Sequence, residues 1–163
     1  GASFFGYVAP PEGSLLERSV IAIRLRGGWS SSGTPVDRWF APGASPEMEL
    51  PLRAHFRTRD GVLGVTPMGR KVALANVEWR RRLHDGAAFG VGIALHCDLA
   101  HIGSRESSLE SAESSWESRS RSLQDVGVGL RLKMGPSTLL RFDYSHGLAD
   151  GKNALSFGVG QLF

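Results

Sequence analysis

DVGVGLRLKMGPSTLLRFDYSHGLADGKNALSFGVGQLF, residues 125–163, alternates apolar with polar or small side chains through three runs separated by two short turns. In the first run Val126, Val128, Leu130, Leu132 and Met134 oppose Asp125, Gly127, Gly129, Arg131 and Lys133. In the second Leu140, Phe142 and Tyr144 oppose Arg141, Asp143 and Ser145. In the third Leu155, Phe157, Val159 and Phe163 sit among Gly, Ser and Gln. A strict period of two is the signature of β-strands with two unlike faces. Chain ends usually fray in water, so a Phe closing a strand pattern is expected to be held within the structure.

The same pattern extends upstream. Ile21, Ile23 and Leu25 oppose Ala22, Arg24 and Arg26 within 19–29; Ala73, Ala75, Val77 and Trp79 oppose Asn76, Glu78, Arg80 and Arg82 within 70–83. Over 89–100, Phe89, Val91, Ile93, Leu95, Cys97 and Leu99 oppose Gly90, Gly92, Ala94, His96, Asp98 and Ala100. SFFGYVA near the front reads as the end of a seventh strand. HDGAA, MGPS and LADGKN read as tight turns, whereas 30–69 and 103–123 are long, the second rich in Ser, Glu and Arg. Hairpin counting puts both long connections and LADGKN at one end of the sheet and the two shortest turns at the other. Short turns at one end and long loops at the other are the habit of outer-membrane barrels.

A soluble antiparallel sandwich or a lipocalin-like barrel alternates equally well, with its apolar face as core. Two features favour the membrane. The polar face carries Gly and Ala as well as charge, which suits a crowded lumen. Aromatics sit at strand ends (Trp29, Trp79, Phe89, Tyr144, Phe163), where an interfacial girdle would lie. The expected fold is therefore all-β, an antiparallel transmembrane β-barrel with six to seven strands from this chain and a long lumen-inserted loop. Each spanning strand takes about 9–11 residues and lipid does not tolerate open sheet edges, so a fragment of a larger barrel is expected over 1–163, with a divergent small barrel or closure by oligomerising as the alternatives.

Composition narrows the function. The 163 residues carry a net charge of +3, and the arginines alternate with apolar residues instead of forming a basic block, so no nucleic-acid partner is expected. No apolar run reaches the roughly 18 residues of a transmembrane helix. The N-terminal stretch lacks the basic start and apolar core of a signal peptide, which points to a removed signal or a piece of a longer chain. Cys97 is the single cysteine and the five histidines lack metal-ligand spacing. The serines lack a nucleophile-elbow setting, and the GVG pairs lie mid-strand with no helix after them. Neither cofactor, metal nor enzymatic chemistry is expected.

Residues 125–163 closely resemble the end of the BamA-like outer-membrane assembly and transport barrels, the bacterial surface-antigen superfamily. The resemblance rests on VGVGLR, a GP turn, LRFDYSHGL, a short loop and a closing strand ending in Phe. Upstream, LANVEWRRRL resembles the family's strand with Glu in an NxExR setting, and ALHCDLAHIG its FxDxG strand; the likeness covers roughly 50–163. It implies location in the bacterial outer membrane, with the lipid bilayer, the outer-membrane assembly machinery and a polypeptide client as partners. The implied function is insertion or translocation of polypeptides. Phe163, with Val159 and Phe157, would form the C-terminal insertion signal. The same barrel also occurs behind patatin-like lipase domains, so a membrane anchor for a fused enzyme is one alternative. A soluble β-sandwich binding module is another.

In this family a long loop folds into the lumen, and a VRGY or VRGF tip pairs its Arg with acidic groups of the wall. The resemblance makes 30–69 that loop and PLRAHFRTRDG its tip, with Arg53 matching the motif Arg and Arg59 a rival. Ala54 and His55 stand where the family has Gly and an aromatic residue. The implied wall partners are Glu78 and Asp98, both on the polar face in the alternation. The alternative is that these acids pair with strand arginines such as Arg80 and Arg131.

Overall fold

The computed structural model describes residues 2–8, 17–35, 38–43, 52–55, 58–59, 62–63, 67–103, 121–135 and 137–161. Seven long strands follow the alternating stretches: β1 (Ala2–Val8), β2 (Ser19–Trp29), β5 (Lys71–Asp85), β6 (Phe89–Gly103), β7 (Arg121–Met134), β8 (Thr138–Gly147) and β9 (Asn153–Gln161). Between β2 and β5 a two-residue pair, β3 (Thr58–Arg59) and β4 (Val62–Leu63), forms a separate small sheet. The long strands make one antiparallel sheet in the order β1-β2-β5-β6-β7-β8-β9. It is open, with β1 and β9 as its edges.

Sequential hairpin pairing lets the period of two carry across the sheet. Cross-strand partners share a face, and the register aligns Arg24 with Asn76, Glu78 with His96, Asp98 with Asp125, Gly129 with Asp143, and Asp143 with Ser156. The polar positions thus join into one continuous face. β6 shows the outcome most plainly, since every even-numbered residue from Gly90 to Ile102 is buried while Leu95 and Leu99 are exposed. β5 and β6 run further than the sequence pattern suggests. A bulge at Leu83, between Arg82 and His84, lets β5 continue to Asp85, and β7 starts at Arg121.

The polar face is not polar throughout. Towards the long-loop end it carries Val72, Leu74, Ala100, Ile102 and Leu123, which bury Leu52 completely and are flanked by Phe40. Phe40 is held by a bridge to Gly69, its N–H and C=O both bonded to that residue. This small core seats the segment 52–55 on the sheet. The opposite face keeps its large apolar side chains outward, among them Val128, Leu130, Phe142, Tyr144, Leu155 (78% exposed), Phe157 and Val159. Phe142 and Phe157 pack there with ring centroids 5.0 Å apart and planes tilted by 46°.

Candidate functional site

The segment 52–55 lies across the polar face with all four residues buried. Its first anchor is apolar, Leu52 in the small core. Its second is backbone. The N–H of Ala54 donates to Asp125 Oδ2 at 2.8 Å, the N–H of Arg53 reaches Asp98 Oδ2 at 3.4 Å, and a turn closes from His55 N–H to the Leu52 carbonyl. Backbone amides of a tight turn converge on one side and suit an anionic wall.

The third anchor is the Arg53 guanidinium. Nη2 lies 2.7 Å from Glu78 Oε2 and Nε 3.5 Å from Asp98 Oδ2. The planar fork thus spans two carboxylates on neighbouring strands, β5 and β6, which a point charge on a flexible stem does less well. Arg53 is 8% exposed and Asp98 is fully buried. Asn76 completes Asp98 by donating from Nδ2 to Oδ1 at 2.8 Å.

Glu78 is shared. Its Oε1 also accepts from Arg80 Nε at 2.7 Å and from Arg131 Nη2 at 2.9 Å. Arg131 in turn donates to Asp143 at 2.6 Å, and Arg141 approaches Asp143 at 3.4 Å. The structure therefore contains both arrangements left open by the sequence: Glu78 meets the loop-tip Arg and the strand arginines together. Asp98 has Arg53 as its only ion-pair partner among the described residues. Gly129 lies beneath this network, where a Cβ would run into the Arg131–Asp143 pair, so part of the glycine content of the polar face makes room for arginine.

Of the remaining expected site residues, Arg59 lies in β3 and its side chain is outside the described set, as is Phe163. Phe157 and Val159 lie outward on β9. Sequence reasoning did not single out His55, Asp125, Asp143 or Asp150 as site residues. His55 is buried between Asp125 and Asp150, and His96 hydrogen-bonds Ser145 at 2.9 Å on the same face. Alternation had already put Asp125 and Asp143 on the polar face. No local signal ties residue 55 to a turn almost a hundred residues later.

Among the described residues no cluster of three His, Cys, Asp or Glu side chains could hold a metal ion. What the arrangement offers chemically is fixation of a loop segment on a sheet face by charge and backbone amides. No family model, curated protein or solved structure matches the chain.

Proposed function

We propose that the chain is part of an outer-membrane β-barrel of the BamA-like kind, acting in insertion or translocation of polypeptides with 52–55 as its lumenal loop tip. The observation that carries this reading is the reversed amphipathicity of the sheet. Its charged face holds buried Glu78, Asp98, Asp125, Arg131 and Asp143, and its aliphatic and aromatic face is exposed. In water that arrangement leaves a large apolar patch uncovered; no second layer lies over it among the described residues. In lipid it is the arrangement expected of a barrel wall.

Dimensions agree. On the outward face of β5, Lys71 and Arg81 bracket Ala73, Ala75, Val77 and Trp79. About ten residues at ~3.3 Å each span ~33 Å along the strand. At a tilt of roughly 40° this projects to about 25 Å, the height of an outer-membrane apolar band. Parity adds a constraint. With seven antiparallel strands in succession, β1 and β9 run the same way, so an all-antiparallel barrel needs an odd number of further strands.

Fractionation with outer membranes and heat-modifiable migration in detergent gels test the location. A chain that stays soluble without detergent overturns it. For the role of the tip, Arg53→Glu and Asp98→Arg should each impair assembly or secretion, and the double variant should recover part of the loss. Independent, additive losses would remove Arg53 from that role.

A further inference from the structure

His55 is 2% exposed and has a carboxylate on each side of its ring. Nε2 is hydrogen-bonded to Asp150 Oδ2 at 3.0 Å. Nδ1 lies 2.9 Å from Asp125 Oδ1, at ion-pair distance though off the line of a good hydrogen bond. Neutral imidazole has one N–H and one lone pair. In that form a carboxylate would confront a lone pair on one side; only imidazolium offers a proton to both. The clamp joins three separate parts of the chain, namely the loop tip, the middle of the sheet on β7 and the turn between β8 and β9.

Gly147, at the end of β8, closes the clamp from below. A Cβ there would meet Asp150 Oδ1 at 2.8 Å, His55 Cε1 at 3.0 Å and Asp125 Oδ1 at 3.6 Å. The site is therefore fitted closely around the ring. Asp125 is also occupied by the Ala54 N–H, and Asp150 by Lys152 Nζ at 3.1 Å, so both acids are already oriented.

We propose that His55 is a proton-dependent latch that fastens the loop tip to the β8–β9 turn, closed as imidazolium and open as neutral imidazole. Arg53 keeps its charge throughout, so opening frees the turn and leaves the Arg53 grip in place. Among the described residues, the charged groups facing the latch are Asp125 on β7, Asp150 with Lys152 on the turn, Asp98 on β6 beside Asp125, and Arg53 on the tip itself. β8 contributes only the uncharged Gly147. The latch depends on these contacts and not on where the protein resides.

Burial works against the charged ring, but the close approach and charge of Asp125 and Asp150 outweigh it and raise the His55 pKa. Asp150 is lowered to about 2, its desolvation outweighed by Lys152 and His55. The His55 contribution is thus complete below about 6.5, its unfolded value, and is lost as pH rises through the higher folded value. The Asp150 contribution is complete above about 3.9 and is lost as pH falls towards 2. Between these limits the latch is closed.

The full chain in detergent, with Cys97→Ser and Ala149→Cys carrying a nitroxide on the exposed turn, reads the latch by spin-label mobility. His-labelled NMR reads the ring protonation on the same protein. The label is expected to mobilise as pH rises through the His55 titration, with a midpoint above about 6.5, the ordinary imidazole value. Asp150→Asn should lower it by roughly one pH unit, and His55→Gln should leave the label mobile at every pH. Asp150 lies on a turn and its substitution keeps the side-chain volume, so Asp150→Asn reports even if His55→Gln fails to fold by heat-modifiable migration. A His55 midpoint at or below about 6.5, the ordinary imidazole value, overturns the proposal. So does a label equally mobile in wild type and Asp150→Asn across the range.

Discussion

Arg53→Ala separates the tip arginine from the strand arginines. Arg53 is the only ion-pair partner of fully buried Asp98 among the described residues and one of three close guanidinium partners of Glu78. Its side chain's removal leaves Asp98 with the Asn76 amide and the backbone N–H of residue 53 but without its ion pair, whereas Glu78 keeps Arg80 and Arg131. Removing one partner of a buried ion pair costs about 3–5 kcal/mol. The cost is capped by the free energy of docking the tip, because an undocked tip lets water back to Asp98. Arg80 bonds the same Glu78 at the same 2.7 Å, but its side chain is 42% exposed, so Arg80→Ala is expected to cost about 0–1 kcal/mol. Arg53→Lys should fall between them, since an ammonium keeps the charge and loses the fork. Guanidinium titration in detergent, followed by tryptophan fluorescence and by gel migration, measures the difference. Equal losses for Arg53→Ala and Arg80→Ala would refute the argument that burial and the stranded Asp98 decide the energy.

Three further outcomes are expected. Gly147→Ala should loosen the tip by pushing His55 and Asp150 apart, read as faster hydrogen exchange at Ala54 and Leu148, whose N–H groups bond Asp125 and Gln124. Phe157→Arg, on the outward face of β9, should cost about 2–4 kcal/mol in a bilayer if that position is near the midplane, and little if the face meets water; folding yields into lipid vesicles measure it. Raising pH through the folded pKa of His55 should lower resistance to denaturant in wild type, and His55→Gln should remove that pH dependence.

The strands and their faces were legible because a period of two survives any change of strand neighbour. The apolar sets of 89–100 and 124–134 lie outward as the pattern predicts, and Glu78 and Asp98 lie on the tip-bearing face. The apolar patch of Val72, Leu74, Ile102 and Leu123 on that same face was missed. Along β5, Val72 and Leu74 interrupt no alternation, since Ala73 between them and Ala75 after them are apolar as well. The strand ends beyond the alternation were missed too, because pairing across β6 and β7 carries both strands on towards Gly103 and Arg121.

From sequence alone came the all-β class, the tight turns, two unlike sheet faces and a short list of charged residues able to meet on one of them. Tertiary structure decided which of them meet. Glu78 gathers arginines from the loop, its own strand and β7, and His55 reaches acids 70 and 95 residues further on. Periodicity records the direction in which a side chain leaves its strand. It does not record strand register or where a loop lands, and a charged hydrogen bond depends on both to within a few tenths of an ångström.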